Sequence, residues 1–165
     1  MATAGKDLSA YKTSGIPKDI GLAIDRIGIV VSEWNSDITK RLLKGAVDTL
    51  VKHGVRKNRI VVRYVPGAFE LALGAQQLLI RKKTNAVIAI GCVVRGETPH
   101  FDFICNATAN GILEVGLKYN RPVVFCVLTD NTKKQSLDRS GGKHGNKGVE
   151  AAVTCLKMLA TDFRL

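Results

Sequence analysis

Residues 85–104 read NAVIAIGCVVRGETPHFDFI, and this stretch decides the fold. It opens with an unbroken apolar run, Ala86 to Ile90, the pattern of a strand buried on both faces. Cys92, Val93 and Val94 prolong it. The chemistry then changes: Arg95, Gly96, Glu97, Thr98, Pro99 and His100 form a polar turn. Beyond the turn, Phe101, Ile104, Ala107 and Ile112 keep a helix-compatible spacing. Strands buried on both faces belong to parallel sheets, whose ligands bind beyond the C-terminal strand ends. The turn stands at such an end. Gly96 lets backbone approach a ligand closely, Thr98 offers a hydroxyl, and the N–H groups that open the next helix can hold an anion. His100 adds an imidazole, the side chain suited to moving protons near neutrality. The turn reads either as an anion cradle beside a proton carrier or as a plain strand-to-helix turn with a surface histidine.

Working outward, the same alternation recurs on both sides. Ile27 to Val31 is a short buried strand, followed by the polar turn Ser32 to Asp37. Ile38, Leu42, Leu43, Ala46, Val47, Leu50 and Val51 set a helix to His53, with Gly54 placed to close it. Arg59 to Val65 predicts a second strand, stopped by Pro66-Gly67, and a helix starts at Ala68, Phe69 and Glu70. The helix after the central turn runs to about Lys118. Val123 to Leu128 is the fourth strand, Lys133 to Arg139 a short helix, Ser140 to Asn146 a glycine-rich loop and Gly148 to Ala160 the last helix. Residues 1–25 lack periodicity and carry Gly15, Pro17 and Gly21, so they read as an extended arm or partly mobile tail. The expected organisation is therefore an arm, residues 1–25, and one α/β domain, residues 26–165. Its architecture is a three-layer α/β/α sandwich on a four-stranded parallel sheet. So small a sheet leaves edges exposed, which the arm can cover in its own chain or, as an added edge strand, in a neighbouring subunit.

Composition narrows the function. The chain has 165 residues, 45% of them hydrophobic, enough for one well-packed core. No apolar run approaches the roughly 20 residues that span a bilayer, and no signal-like segment opens the chain, so a cytoplasmic protein without membrane contact is expected. Cys92, Cys105, Cys126 and Cys155 form no C-x-x-C pair, and His53, His100 and His144 are far apart, which argues against disulfides and against a metal site. The net charge of +11 suits an anionic partner, but only Arg81-Lys82-Lys83 is dense, and aromatics do not interleave with it. A helix terminus explains that run better than a nucleic-acid surface. There is no P-loop, no G-x-G-x-x-G and no G-x-S-x-G. A cysteine nucleophile, Cys92 or Cys105 near His100, stays open but lacks anything to lower its thiol pKa.

The polar constellations all fall at strand C-termini, which a parallel sheet brings to one edge. They are Trp34 and Asn35, the run Pro66 to Glu70, Arg95 to His100, and Thr129 to Asn131. Each has a structural alternative: Trp34 as a core or staple residue, Glu70 as a dipole partner, Asp130 and Asn131 as caps, Lys147 and Glu150 as a surface pair worth little energy.

Five stretches in this order, IGIVVSEWN, VPGAFEL, IGCVVRGETPHFD, PVVFCVLT and DRSGGKHGNKG, make the chain resemble the 6,7-dimethyl-8-ribityllumazine synthase family, from about Ile27 to Met158. The resemblance implies a flavodoxin-like α/β/α transferase of riboflavin biosynthesis. It would condense 5-amino-6-(D-ribitylamino)uracil with 3,4-dihydroxy-2-butanone 4-phosphate, needing no cofactor and no metal. By the same resemblance Trp34 stacks on the pyrimidine. Asn35, Ala68, Phe69 and Glu70 lie along the ribityl chain, and Val93 and Val94 read the ring edge with their backbone. Gly96, Glu97 and Thr98 with Arg139 hold the phosphate, and His100 carries protons. Phe125 and Lys147 come from a neighbouring subunit, and in a shared site Arg139 does too. Two departures stand out: Trp34 replaces a phenylalanine common in relatives, and Glu97 sets a carboxylate in the phosphate turn, where it is expected to point outward. The family forms pentamers, some built into sixty-subunit shells. The short Gly141 to Lys147 segment favours the shell, and riboflavin synthase is an implied associate. A non-catalytic lumazine- or flavin-binding module of the same fold is the alternative.

Overall fold

The computed structural model describes residues 7–162; residues 1–6 of the expected arm and 163–165 of the expected domain lie outside the described residues. Helices and strands follow in the order α1 (Ile20–Ala23), β1 (Ile27–Ser32), α2 (Ser36–Lys52), β2 (Ile60–Val65), α3 (Leu71–Lys82), β3 (Ala86–Val94), α4 (His100–Tyr119), β4 (Val123–Asp130), α5 (Lys133–Arg139), β5 (Ser140–Gly142), β6 (Gly145–Asn146) and α6 (Lys147–Asp162). The main sheet has the order β2-β1-β3-β4, with every pair parallel. The expected three-layer architecture is present.

The apolar runs explain the sheet order. All six residues of β1 and the first seven of β3 are buried, so these two strands take the centre. β2, with Arg63 and Tyr64 exposed, and β4, with Phe125 exposed, take the edges. Alternate residues then choose a face. Ile29, Ile88, Cys126 and Leu128 face Leu42, Ala46 and Leu50 of α2 and Leu156 and Leu159 of α6. Val30, Val87, Ala89 and Val127 face Leu71, Ala75 and Leu78 of α3 and Ile112 and Val115 of α4.

Helix ends follow local chemistry. Gly54 closes α2 at φ +88, a conformation that costs a glycine little. Its N–H donates to the Val51 carbonyl at 3.0 Å and that of Val55 to the Leu50 carbonyl at 3.1 Å, which satisfies the last carbonyls of the helix. Thr132 starts α5 with a capping box shared with Gln135.

Four expectations are revised. The described arm is not extended throughout: Asp7 starts a 3-10 turn over Leu8–Ala10, and Ile20 of α1 and Ile24 just after it are buried in the larger core. No strand precedes Ile27 among the described residues, and the arm lies on its own chain. Ser9 Oγ accepts from the Asn146 N–H at 2.9 Å, and the Lys157 ammonium sits 4.4 Å from the Tyr11 ring centre. β4 continues two residues past Leu128, because Thr129 and Asp130 still pair with Val93 and Val94. α3 begins at Leu71 rather than Ala68, since the Glu70 carboxylate folds back onto the Gly67 N–H at 2.9 Å and holds a turn there. The Ser140–Asn146 segment is a small antiparallel hairpin, not a loop. Gly141 and Gly145 supply its positive φ values, and the Asn146 amide donates to the carbonyls of Arg41 and Ser140.

The approach of α6 to α2 depends on Gly148, where a Cβ would run into the Leu42 carbonyl. Gly148→Ala should therefore cost about 2 kcal/mol, within the usual range for overpacking, and lower the melting temperature by roughly 5 °C. An unchanged thermal transition followed by circular dichroism would show that the two helices can slide apart.

Candidate functional site

The expected cluster forms at the C-terminal edge of the sheet, and backbone contacts past the strand ends build it. Beyond β1, the Glu33 N–H donates to the Val65 carbonyl at 2.9 Å and the Trp34 N–H to the Pro66 carbonyl at 3.3 Å. These bonds bring Trp34 beside the Pro66-Gly67 turn: a Cβ on Gly67 would lie 3.7 Å from Trp34 Cδ1. The indole is 73% exposed, so Trp34 is not a core residue. Phe69, 60% exposed, projects from the same turn, whereas Ala68 is buried under it. Asn35 takes a left-handed conformation, φ 56 and ψ 45, and its Nδ2 donates to the Cys92 carbonyl at 2.9 Å. Its amide thus joins the ends of β1 and β3 and does not cap α2. Glu70 accepts from Gly67 through Oε2, while Oε1 has no partner among the described residues.

The central turn is open. Gly96, Glu97, Thr98, Pro99 and His100 are all exposed, and a Cβ on Gly96 would meet nothing within 4 Å. Packing within the chain does not require glycine there, which leaves close approach from outside as its use. No side chain caps α4 at Pro99, so the first N–H groups of a twenty-residue helix face the turn. His100 has no hydrogen-bond partner among the described residues and stands at the first position of that helix. Val93 and Val94, half-buried, lead the strand into the turn.

At the end of β4 the caps fall elsewhere than expected. Thr132, not Asp130 or Asn131, caps α5. Asp130 instead accepts from Ser136 Oγ at 2.8 Å and stands 3.8 Å from Arg139 Nε, with its own side chain only 11% exposed. Arg139 also donates from Nη1 to the Gln135 carbonyl at 3.1 Å. Asn131 accepts from Arg95 Nε at 3.1 Å. The Lys133 ammonium, 3.0 Å from Asp37, holds that carboxyl below the usual carboxylate range and ties the start of α5 to the start of α2.

Two candidate residues stand apart from the cluster. Phe125 pairs with Ala89, five residues before the strand ends at Asp130, so it lies roughly 16 Å down the strand by the usual rise per residue. Lys147 starts α6 behind the sheet. Its ammonium meets Glu150 at 2.6 Å, and the two side chains are 19% and 17% exposed. The pair is an enclosed structural bridge near Cys126, not the weak surface pair that helical spacing suggested.

All four thiols are pushed above the usual thiol range. Burial pushes Cys92 up to about 11, with the Ser136 hydrogen bond pulling the other way and Asp130 adding to the rise. Burial takes Cys126 and Cys155 to about 12 and raises Cys105. Thiolate is scarce at neutral pH, so a cysteine nucleophile has no support. No group of three His, Cys, Asp or Glu is placed to hold a metal ion among the described residues, and no helix there is long and apolar enough to cross a membrane.

Comparison with known proteins shows the family of the chain. The family model described as 6,7-dimethyl-8-ribityllumazine synthase matches residues 25–162. A 6,7-dimethyl-8-ribityllumazine synthase of Cytophaga hutchinsonii is 57% identical over 160 residues, covering 97% of this chain and 98% of the relative. Namesakes from Parabacteroides distasonis and Porphyromonas gingivalis are each 52% identical, over 96% of this chain and 98% and 96% of their own lengths.

The raised thiol pKa values have two consequences with one sign. The folded state keeps protons that the unfolded chain releases above about pH 9. Stability from these groups is therefore complete below that pH and is lost as the pH climbs toward 11 and 12. In the native protein at pH 8, iodoacetamide should modify Cys105 slowly and leave the other three untouched until denaturant is added. Rapid labelling of Cys92 in the folded state would contradict its buried, protonated character.

Proposed function

Because the chain belongs to the 6,7-dimethyl-8-ribityllumazine synthase family, we propose that the cluster at the sheet edge is one face of an active site completed by a second subunit. The enzyme is a transferase that condenses 5-amino-6-(D-ribitylamino)uracil with 3,4-dihydroxy-2-butanone 4-phosphate, giving 6,7-dimethyl-8-ribityllumazine, phosphate and water. This is the penultimate step of riboflavin biosynthesis. Its substrates are small molecules and it is a homo-oligomer, as its family is. The observation that carries the site assignment is the convergence of exposed Trp34 and Phe69, Glu70 and the open Gly96–His100 turn on one edge.

In this reading the pyrimidine lies on the Trp34 face, with its edge along the Val93 and Val94 backbone. The ribityl chain runs past Asn35, Ala68 and Phe69 to Glu70, whose Oε1 is available to a hydroxyl. The phosphate sits over Gly96 and Thr98, against the open N–H groups of α4, with Glu97 turned to solvent. The pyrimidine amine attacks the ketone, water leaves as the imine forms, phosphate is eliminated, and the second amine closes the ring on the remaining carbonyl with loss of a second water. His100 moves protons between these steps. The reactants are intrinsically reactive, so holding them together can supply roughly 7–11 kcal/mol of the barrier reduction. No residue of the cluster has to form a covalent bond.

The far wall comes from the neighbour. Phe125 cannot close over Trp34 of its own chain from so far down β4, which supports a second subunit bringing Phe125, Lys147 and Arg139 to the site. Ring closure has an exposed apolar surface to cover: Phe103, Leu113 and Leu117 on α4 and Leu73 and Ile80 on α3. The outer edge of β2 is open to a strand from whatever part of a neighbour's arm (residues 1–25, preceding the domain at 26–165) does not pack on its own core. We assign the assembly as pentamers joined into a sixty-subunit shell in the cytoplasm, associated with riboflavin synthase. The tight β5–β6 hairpin, without an insertion, supports the shell.

A His100→Gln enzyme tests the proton role. Turnover, read as phosphate release with both substrates present, should fall about 10²-fold or less, because positioning is retained. A loss on the order of 10⁶ would require an indispensable covalent role instead. Binding of the lumazine with no phosphate release from the unaltered protein would favour a non-catalytic module.

Sharing of the site is tested by mixing. Rings of His100→Gln chains and rings of Arg139→Ala chains should each be defective, the second mainly in binding the phosphorylated substrate. Unfolded together in equal amounts and reassembled, about one interface in four pairs an intact His100 face with an intact Arg139 face. Activity should rise toward roughly a quarter of the unaltered enzyme. Verified mixed rings with no gain over the parents would confine the site to one chain.

A further inference from the structure

We propose that Arg95 is a positioning residue for this reaction, a latch that fixes the phosphate turn and the first turn of α4 to the end of β4 before any substrate arrives. The inference rests on the assignment of Gly96–Thr98 as the phosphate turn. Arg95 stands directly before that turn, and its contacts join the residues on either side of it. Its N–H donates to the Asp130 carbonyl at 3.0 Å, which keeps the β3–β4 ladder intact up to the residue before Gly96. Its Nε donates to Asn131 Oδ1 at 3.1 Å. Nη2 and Nη1 grip the two oxygens of Asp102 at 2.8 and 3.3 Å, and Asp102 lies in the first turn of α4. The guanidinium carbon rests 4.2 Å from the centre of the buried Phe101 ring. One planar group thus ties together three elements that flank Gly96 to His100.

Two physical consequences follow. First, the fork needs a plane: a bidentate carboxylate, a third donor directed at Asn131 and a ring face cannot all be met by a lysine ammonium. Second, the latch neutralises a carboxylate in the wrong place. Asp102 complements the helix dipole, but unpaired it would set a negative charge one turn from the phosphate. Arg95 is 42% exposed and Asp102 54%, so the pair contributes little to folding, and its value lies in geometry and charge at the turn.

The test compares Arg95→Gln, Arg95→Lys and Arg95→Gln/Asp102→Asn with a Gly96→Val control, reading kcat, KM for each substrate, melting temperature and assembled mass. Arg95→Gln should raise KM for the phosphorylated ketone about tenfold, leave the pyrimidine KM within about twofold and leave melting and mass unchanged, as expected of a misplaced binding turn. Arg95→Lys should rescue little. The double variant should recover part of the loss by removing the stranded charge. Full rescue by lysine, equal weakening of both substrates, or an unchanged KM for the ketone would overturn the latch. If Gly96→Val raises that KM while Arg95→Gln does not, the phosphate assignment stands and the latch alone fails. If Gly96→Val also leaves it unchanged, the phosphate lies elsewhere and the latch falls with it. Should Arg95→Gln fail to assemble, Arg95→Lys, which keeps the charge, reads the same quantity.

Discussion

The buried ladder between β1 and β3 is the constraint on which the rest of the molecule depends. Ile27 to Val31 pair in parallel with Ala86 to Ile90, and both strands are covered on both faces. Such a ladder has no tolerance for slippage. A shift of one residue would exchange the side chains that face α2 and α6 with those that face α3 and α4. The register therefore also fixes where the two strands stop. Trp34 and Asn35 emerge from one strand and Val93 to Gly96 from the next, and the Asn35 amide bonds across the gap to Cys92. The edge that carries the candidate site is a by-product of core packing, which holds it more rigidly than loops alone could.

That dependence explains which features could be read from the chain. β3 and β1 are continuous apolar runs, and only burial on both faces gives a strand that pattern. The helices behind them repeat their apolar residues at helical spacing. Once parallel alternation is recognised, the site edge follows from topology. What escaped are contacts between residues distant in sequence or of ambiguous local chemistry. Thr132 and Asp130 are both good cap residues two positions apart, and only the three-dimensional position of Ser136 and Arg139 assigns the cap to Thr132. Arg95 and Asp102 are seven apart across a turn, so no helical or strand rule couples them. Lys147 and Glu150 look like a surface pair by spacing; their enclosure depends on how closely Gly148 lets α6 approach α2. The hairpin at Ser140–Asn146 had glycines that read as a loop, and the decisive contact, Asn146 to Arg41, comes from another helix.

The positive residues behind the net charge of +11 are scattered along the chain, with Arg81-Lys82-Lys83 the one dense run. Around the sheet edge three cations are paired: Arg95 with Asp102, Arg139 with Asp130 and Lys133 with Asp37. This pairing keeps long side chains in fixed places, so an incoming anion meets donors already oriented and does not have to order them. Arg139 illustrates the difference. Held by Asp130 and the Gln135 carbonyl, it keeps Nη2 uncommitted among the described residues, a donor whose direction is fixed by the plane of the group.

A flat, two-ring product forming from two mutually reactive substrates needs little more than a narrow, well-shaped slot. The described residues of one chain offer an exposed indole, an exposed phenyl ring and an open helix start on the same sheet edge. Exposed aromatic groups of this size are costly to leave in water, and a neighbouring copy that covers them improves packing while adding a second wall to the slot. Assembly and catalysis then draw on the same surface. A protein with the shared site proposed above could not lose its partner and keep its full site, a physical reason for an enzyme of so simple a reaction to work as a homo-oligomer.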